Sequence, residues 1–515
     1  MKARFPLSAV LPVLLALALL PCGAAASLEA VEEELDAAAG VAAEPLFEDV
    51  SAEEEDDDAE IDPFGAVVKL EVVSRESDFV NPWLSSTSGA DGSGVVVAPG
   101  RILTCAHCVA DATHIRVRKN NEDSLYQGAL EFVDNDCDLA LVRVEDPAFM
   151  HGVVPMSIGE TPALQDMVVA VGYPLGGDGI SFTRGIVSRI EDIRYSQSLS
   201  RLLGIQVDSA INPGNSGGPV IDAATLEIVG IAFQGRDDGE SLGYIIPPEI
   251  IRHFFTDIED GRVDGFPQSP FACGGLECAA SRRYLGMAPD QSGLLVENVA
   301  IALGTNSVRT GDVLLEIDGR SVANNGNIRI DGNERRSYAY PIYLRQIGES
   351  VPAKVLRGGQ VLDVSFPAIR KSLRVRPFMH GKKPDYYVLG GFVFSTLSLD
   401  FLRLDVSFHD DILAERTAPD DEAVVITDVL ADSATEGYLG VGGSLVRTVN
   451  GVKVRNLRHL VEIVESCHDE FLRIMLDCDD EYDTPVYLDL NLLREATPRI
   501  LERYDIPSDR SKDLR

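Results

Sequence analysis

The stretch from Gln206 to Val220 constrains the fold of this chain more than any other part of the sequence. It sets a polar, glycine-rich turn between two apolar runs, which is typical of a tight turn that joins buried strands. The turn contains the hexapeptide Gly-Asn-Ser-Gly-Gly-Pro at residues 214–219. A purely structural turn would explain the glycines but not the whole hexapeptide. The pattern therefore directs attention to the chemistry of Ser216.

Ser216 is a candidate nucleophile for acyl transfer. A serine hydroxyl is weakly nucleophilic at neutral pH, so it needs an adjacent base and a group that orients this base. It also needs N–H groups directed at the developing oxyanion, and the amides of Gly214 and Ser216 can converge on one oxygen. The hexapeptide predicts a serine protease whose oxyanion hole is formed by Gly214 and Ser216.

Two further residues complete a predicted catalytic triad. His107 follows an apolar strand and lies at a short helical turn, which suits a general base, although a lone histidine there would more often be a core residue. Asp138 begins the run Asp-Leu-Ala-Leu, so its carboxylate is tied to a buried strand where it can hold one imidazole tautomer. Asp136 is the competing candidate. The order His107, Asp138, Ser216 is that of chymotrypsin-like proteases, not of subtilisins or α/β-hydrolases.

The pattern from Phe64 onward favours an all-β domain, with short strands separated by turn residues every ~8–12 positions. Together with the triad order, it predicts a mainly β chain. We expect a chymotrypsin-like double β-barrel protease domain over residues 63–262, with the triad in the cleft between two packed barrels.

The predicted primary pocket carries no charge. Ala210 and Ile211 precede the nucleophile, and Ala232 and Phe233 lie on the opposite strand. Small or medium aliphatic side chains can be buried in such a pocket, whereas arginine would place a charge there without a partner. We therefore expect cleavage after aliphatic residues, which are mostly accessible in unfolded chains.

Two segments repeat after the Pro/Gly-rich linker predicted at 263–281. Residues 311–322 and 443–454 share a strand, an Asp/Asn-Gly turn and a second strand. Both copies resemble PDZ domains, which add an extended peptide to a sheet edge and hold its carboxylate in a loop of backbone N–H groups. The repeat predicts α+β PDZ domains at 282–372 and 385–492.

The two copies differ in the loop that would hold a peptide carboxylate. In the second copy, residues 388–392 are the nearest match, and a purely structural role is equally open. Residues 493–515 are predicted to be a C-terminal tail. In the first copy, the loop residues are Tyr284, Leu285, Gly286 and Met287.

The amino terminus reads as a secretory signal over residues 1–26, with Lys2 and Arg4 before an apolar run and small residues after it. The run is shorter than the ~20 residues of a membrane span, although an uncleaved anchor is the alternative. Residues 27–62 are rich in Asp and Glu and are predicted to be disordered. The formal net charge of -37 argues against nucleic acid or anionic membrane as a partner.

The chain has 8 cysteines, and removal of Cys22 with the signal leaves an odd number. Cys108 and Cys137 are the neighbours in sequence of His107 and Asp138, so we expect their sulfurs near one another. Inert buried thiols and a redox-sensitive active site are both open. The candidate disulfides are Cys273 with Cys278 and Cys467 with Cys478.

Beyond Phe64, nearly the whole chain resembles the HtrA/Deg family of ATP-independent serine proteases, and within it the plant-type Deg enzymes. The resemblance implies degradation of misfolded or damaged proteins and assembly from trimers, with Phe79 and Trp83 packed between subunits. The motifs that carry it are Thr104-Cys-Ala-His107, Asp136-Cys-Asp-Leu-Ala-Leu141, Val171-Gly-Tyr-Pro-Leu-Gly-Gly-Asp178, Ala210-Ile-Asn-Pro-Gly-Asn-Ser-Gly-Gly-Pro219 and Gly243-Tyr-Ile-Ile-Pro247.

The leading hypothesis is an endopeptidase that acts on unfolded proteins without a metal or cofactor and binds peptide C-termini at its first PDZ domain. A processing protease with few substrates uses the same chemistry and stays open. A chaperone or scaffold without turnover is disfavoured by the intact triad. The signal predicts the secretory pathway, whereas plant-type Deg enzymes are often in plastids or the nucleus, so a plastid route through the endomembrane system is also considered.

Overall fold

The predicted signal, nearly all of the acidic segment and Ala210 lie outside the residues that the structure describes. In the described ranges, no helix combines the length and apolar character that a membrane crossing requires. The computed structural model describes residues 62–175, 177, 179–209, 211–235, 242–300, 303, 307–330, 334–404, 416–477 and 484–515.

A closed antiparallel barrel forms the first part of the protease domain, in the order β1-β2-β3-β6-β5-β4. Valine, isoleucine and leucine side chains point into it, and closure leaves no free strand edge. A 3₁₀ turn, Ala106–Val109, follows the third strand and carries His107. The strands are β1 Val67–Ser77, β2 Ser85–Ala98, β3 Arg101–Cys105, β4 Ala112–Lys119, β5 Leu125–Asp134 and β6 Leu139–Val144.

A second closed barrel follows, in the order β10-β11-β12-β9-β8-β7, and one apolar core runs through both barrels. The predicted mainly β fold with a double barrel is confirmed. Helix α1, Pro248–Asp257, closes the domain and buries Ile250, Ile251 and Phe254. The strands are β7 Met167–Gly172, β8 Ser181–Arg194, β9 Arg201–Val207, β10 Pro219–Asp222, β11 Ile228–Gly235 and β12 Gly243–Ile246.

The next sheet runs β13-β14-β15-β19-β20, with β16 paired to β15, and β17 pairs with β18 beside it. Its first strand lies inside the predicted linker, because Phe271 buries its ring in this core and the strand pairs with β14. The elements are β13 Phe271–Gly275, α2 Ala279–Tyr284, β14 Leu294–Val299, β15 Val313–Ile317, β16 Arg320–Ser321, β17 Asn327–Arg329, β18 Arg335–Ser337, α3 Tyr340–Tyr343, β19 Ser350–Arg357 and β20 Gln360–Pro367.

The last sheet runs β21-β22-β23-β24-β26-β27, with β25 paired to β24. The turn before β25 has Asn450 and Gly451 at positive φ, as do Asp318 and Gly319 before β16, which confirms the predicted hairpin repeat. The elements are β21 Tyr387–Leu389, β22 Phe392–Thr396, α4 Leu399–Leu402, β23 Val424–Val429, β24 Leu445–Val449, β25 Val452–Lys453, α5 Leu457–Ser466, β26 Phe471–Asp477, β27 Thr484–Asp489 and α6 Leu490–Arg503.

The predicted C-terminal tail is an ordered part of this last domain. Helix α6 begins at Leu490 and buries Leu493 and Ile500. Beyond it, Arg510 pairs in antiparallel fashion with Tyr387 on β21. The amide of Val388 donates to the carbonyl of residue 509 at 2.6 Å. The outer edge of β21 is therefore occupied by the chain's own carboxyl-terminal segment.

Candidate active site

The Asp138 carboxylate holds His107 at two points. Its Oδ1 accepts the backbone N–H of His107 at 2.9 Å, and its Oδ2 lies 2.7 Å from the imidazole Nδ1. Asp138 is fully buried and has φ of +58° at the start of β6, so the backbone turns to direct the carboxylate back at the 3₁₀ turn. The arrangement fixes both the position and the tautomer of the ring.

The carboxylate of Asp136, the competing candidate, binds residues other than His107. It pairs with Arg370 at 2.6 Å and accepts the amide of Phe266 at 3.2 Å. Both partners lie beyond the barrels in sequence. Asp136 therefore connects the loop that carries Asp138 to the following domains and does not contact the His107 ring.

Ser216 lies in the turn between β9 and β10, which the structure packs against the 3₁₀ turn of the first barrel. Its carbonyl oxygen accepts the amide of Ser93 at 2.9 Å and lies 3.4 Å from Cys108 Sγ. Gly217 follows at φ of +83°, where an added Cβ would lie 2.2 Å from Thr104 Oγ1. This close approach brings Ser216 and His107 into one cleft. Within the described part of the chain, the Ser216 hydroxyl makes no hydrogen bond to His107.

The amides of Gly214 and Ser216 make no hydrogen bond to any described residue. Gly214 has φ of +98°, and an added Cβ would lie 2.4 Å from the carbonyl oxygen of Tyr173, so only glycine fits. Two N–H groups on either side of Asn215, without an acceptor among the described residues, form a site that can stabilise a developing negative charge.

Ser93 is a positioning residue that sequence reasoning did not single out. It is fully buried on β2, and its hydroxyl donates to the carbonyl of Gly214 at 2.7 Å while accepting the amide of Tyr173 at 2.8 Å. A serine between two glycines within an apolar strand was the available signal, because a buried hydroxyl needs partners. Ser93 ties the oxyanion turn to the first barrel.

The electrostatics of the cleft involve two thiols as well as the triad. Burial opposes protonation of His107, but the charges of Asp138 and the Cys108 thiolate, with their hydrogen bonds, raise its pKa well above its usual value. A hydrogen bond from Cys105, together with the charge of His107, lowers the pKa of Cys108 to about 5. Burial raises the pKa of the Cys105 thiol.

Cys105, His107 and Asp138 also place potential metal-ligand atoms within 4.8 Å of one another. The imidazole Nδ1 is already engaged by Asp138 at 2.7 Å, however, and Cys105 is fully buried. We therefore assign no metal to this cluster.

The remaining cysteines differ from expectation. Cys137 donates to the carbonyl of Asp134 at 3.8 Å, whereas Cys108 Sγ lies 3.4 Å from the carbonyl oxygen of Ser216. The expected proximity of the two sulfurs stays a prediction. Cys273 and Cys278 are free thiols. Cys467 is also free, and its candidate partner at position 478 lies outside the described residues.

The residues of the predicted pocket occupy different environments. Ile211 is half-buried against Gly243 on β12. Ala232 is buried, and its carbonyl accepts the amide of Gly217 at 2.8 Å, next to the nucleophile. Phe233 is buried and packs on Tyr195 with ring centroids 4.7 Å apart. Their place in a specificity pocket stays a prediction.

The carboxylate loop predicted for the first PDZ copy lies at the end of helix α2. Tyr284 is 91% exposed, whereas Met287 is buried in a small apolar cluster. The amides of Leu285, Gly286 and Met287 donate to carbonyls of the preceding helix. These three N–H groups are therefore engaged inside the chain and not presented to a peptide.

Phe79 and Trp83 contact the C-terminal domain of the same chain. Phe79 packs against an apolar cluster that includes Val375 and Phe378. Trp83 meets Tyr386 edge to face, with ring centroids 5.7 Å apart. Their predicted place between subunits stays a prediction.

Comparison with known proteins agrees with this architecture. The trypsin-like peptidase domain family matches residues 92–231, and the PDZ domain family matches residues 375–513. Protease Do-like 2, chloroplastic, from Arabidopsis thaliana is 33% identical over 90% of this chain and 78% of its own length. Protease Do-like 4, mitochondrial, from the same plant is 33% identical over 87% of this chain and 85% of its own length. The structure of HtrA-type protease AlgW with tripeptide matches 59% of this chain and 92% of that chain, with 25% identity and a TM-score of 0.45.

Proposed function

Because the chain belongs to the HtrA/Deg family of serine proteases, we propose that it is an ATP-independent endopeptidase that degrades unfolded or damaged proteins through Ser216, His107 and Asp138. The observation that carries the proposal is the double contact of Asp138 with His107, beside the amides of Gly214 and Ser216, which have no acceptor among the described residues. These features supply an oriented base and an oxyanion site, which are the two aids that a serine nucleophile requires.

The reaction follows from these positions. Ser216 Oγ attacks the peptide carbonyl while His107 Nε2 accepts its proton and then protonates the departing amine. Asp138 stabilises the imidazolium that forms between these steps. The amides of Gly214 and Ser216 donate to the oxyanion, and water activated by His107 then releases the acyl group from Ser216.

Substrate binding completes the contact between Ser216 and His107. The free chain lacks their hydrogen bond among the described residues, and such bonds are often long or absent before a substrate is bound. Since Asp138 already fixes the ring, only the Ser216 side chain has to rotate. A bound substrate that contacts the oxyanion amides favours this rotation.

The uncharged positions Ile211 and Ala232 support cleavage after aliphatic residues. Such side chains are usually buried in folded proteins, so the cleft finds them mainly in unfolded chains. Sequencing the fragments of a reduced, unfolded model substrate tests the proposal, with the Ser216→Ala variant as the control for contaminating proteases. We expect most cuts after Val, Ala, Ile or Leu; a majority after Lys or Arg would contradict it.

Peptide recognition by the PDZ domains is proposed at the first copy. In the second copy, the carboxyl-terminal segment already occupies the edge of β21. The loop at 284–287 of the first copy has to release the amides held by helix α2 before it can bind a carboxylate. Titration of a fluorescent peptide with a free carboxylate, against its amidated form, measures this binding.

The assembly of the enzyme is proposed from the family resemblance, and its location from the names of two relatives. We propose a homotrimer, or a multiple of it, in which the loop with Phe79 and Trp83 lies near a subunit boundary; light scattering of the Trp83→Ala variant tests this.

Two relatives carry chloroplastic or mitochondrial in their names. We propose delivery to an organelle, with the predicted signal as the first step, and a reporter fused to residues 1–62 tests the route.

A further inference from the structure

His107 lies between two cysteines in the sequence. Cys105 ends β3 directly before the 3₁₀ turn that carries His107, and Cys108 lies within it, three residues further on. Side chains three residues apart lie on the same face of a 3₁₀ turn, so the two sulfurs are on one side of it. Cys105 Sγ also lies 3.4 Å from the carbonyl oxygen of Ala232, and Cys108 Sγ lies 3.4 Å from the carbonyl oxygen of Ser216. The two sulfurs thus connect the base, the nucleophile turn and the strand beside the predicted pocket.

The two thiols have different reactivities. Cys108 is partly exposed beside Gly92, which contributes no side chain to cover the sulfur. Its pKa is lowered to about 5, so it is a thiolate at neutral pH. Cys105 is fully buried and its pKa is raised, so it stays protonated. An accessible thiolate next to a protonated thiol is the arrangement of an attacking and a resolving cysteine.

We propose that Cys105 and Cys108 form an oxidation site that reacts with hydroperoxides and closes a reversible disulfide across the His107 turn, which switches off the protease. No role in the proposed peptide hydrolysis requires these thiols, so the inference goes beyond that function. It concerns the oxidation of two thiols in the cleft and not the hydrolysis of the substrate.

The reaction balances with a hydroperoxide as the oxidant. The Cys108 thiolate attacks the terminal oxygen of the hydroperoxide, the O–O bond breaks, and the alkoxide leaves as an alcohol after taking up a proton. Cys108 is then a sulfenic acid. The Cys105 thiol attacks its sulfur, the S–S bond forms, and the hydroxyl leaves as water with the thiol proton. The hydroperoxide is reduced to alcohol and water while two thiols become one disulfide.

The disulfide would disturb the cleft because both sulfurs have to move. A disulfide needs a sulfur–sulfur distance of about 2.05 Å, well below a hydrogen-bonding distance. The approaches of the two sulfurs to the carbonyl oxygens of Ser216 and Ala232 change at the same time. His107 lies between the two joined residues, so its ring moves relative to Ser216. A misplacement of about 1 Å is enough to lower the rate about 100-fold.

The other thiols provide the comparison. Cys137 is fully buried, and burial raises its pKa. It lies next to Asp138 in sequence, as Cys108 lies next to His107, but it has no thiol partner within the described residues. Cys137→Ser is therefore the matched control for Cys108→Ser. Cys278 is exposed, and its replacement by serine in every variant removes a separate site of oxidation.

The test treats the full chain with tert-butyl hydroperoxide in the presence of a chelator, then measures casein cleavage and maps thiols by alkylation and mass spectrometry. We expect a disulfide between Cys105 and Cys108, a loss of activity of about 100-fold, and recovery with dithiothreitol. Cys137→Ser should lose activity like the parent, and Cys108→Ser should resist. In Cys105→Ser, dimedone should trap a sulfenic acid at Cys108.

The inference is overturned if the parent forms no disulfide between these two residues, or if it forms one and keeps its activity. Equal sensitivity of Cys108→Ser and Cys137→Ser overturns it too. Mass spectrometry of the oxidised parent shows whether this disulfide forms, even where a variant fails to fold. If the reduced parent cleaves no substrate at all, the proposed function fails instead, and the thiol map still tests the oxidation site.

Discussion

Asp138 and Asp136 are two residues apart, yet the fold assigns them to different partners. Asp138 binds the ring and backbone of His107, while Asp136 binds Arg370 and Phe266. The left-handed conformation of Asp138 is the local cause, since it turns that carboxylate back toward the first barrel. Asp138 therefore orients the base, and Asp136 makes a contact between domains.

Substitution of each aspartate by asparagine tests these two roles. Asp138→Asn should lower kcat about 10⁴-fold, as in chymotrypsin-like triads, because the amide can hold His107 in the wrong tautomer. Asp136→Asn should have a much smaller effect, since it leaves the ring contacts intact. Steady-state cleavage of a fluorogenic peptide measures both, and a larger loss in Asp136→Asn would show that the orienting residue is misassigned.

The raised pKa of His107 sets the expected pH dependence. The base acts only when the imidazole is neutral, so kcat/KM should rise with pH and its acidic limb should have a midpoint above the usual histidine value of about 6.5. Cys108→Ser removes a neighbouring negative charge that favours the imidazolium. The limb should then move to lower pH, while Cys137→Ser should leave it in place; an unmoved limb in Cys108→Ser would contradict the proposed charge coupling.

At the scale of elements, short β-rich runs separated by turn residues, together with the order of the triad, predict the barrels. Contacts between residues distant in sequence leave no such local pattern. The apolar runs, the hexapeptide and the two hairpin turns each carry a local signal. The Pro/Gly-rich surroundings of β13 predict a linker, because they give no local sign that Phe271 pairs with Val299 on β14. Residues 493–515 are predicted to be a tail, although the buried Leu493 and Ile500 of helix α6 fit a helical period. The role of Ser93 depends on its hydrogen bond to the carbonyl of Gly214, which lies far along the chain, so the local sequence does not show it.

The carboxyl-terminal segment gives a prediction at this scale. Truncation after Tyr504 removes the strand contact at Val388 and the buried side chains of Ile506 and Leu514. Each buried aliphatic side chain contributes about 1.5–3 kcal/mol, so the unfolding temperature of this domain should fall. Hydrogen exchange at the Val388 amide should become faster.

Asp509→Ala keeps the main-chain carbonyl that accepts from Val388 and serves as the matched control. Its exchange at Val388 should stay close to that of the parent. Slow exchange at this amide in the truncated chain would show that the segment does not protect the edge of β21.

In the whole molecule, the loop before the proposed orienting residue is linked to the segment between the two C-terminal sheets. Arg370, which follows β20, pairs with Asp136, and the amide of Gln268 donates to the carbonyl of residue 369 at 3.0 Å. The peptide bond after Asp136 leads to Cys137 and then Asp138. This connection offers a direct route by which movement of the PDZ region changes the position of the base.

Arg370→Gln tests that route. The ion pair is partly exposed, so its loss should be worth at most about 1 kcal/mol and should lower kcat up to about fivefold, with little change in KM for a short peptide. Arg101→Gln, which removes an ion pair with Glu131 inside the first barrel, is the control and should leave kcat unchanged. Equal kinetics of the parent and Arg370→Gln would show that the contact only holds the domains together.

Cleavage of an unfolded protein by the Ser216→Ala variant is the most direct measurement of the central claim. The hydroxyl supplies the nucleophile and makes no hydrogen bond within the described part of the chain, so its removal should leave the fold and the thermal unfolding temperature unchanged. The parent should degrade reduced, unfolded casein in the absence of ATP, and Ser216→Ala should show no cleavage above the buffer control. Appreciable degradation by the purified, folded variant would contradict the assignment of Ser216 as the nucleophile.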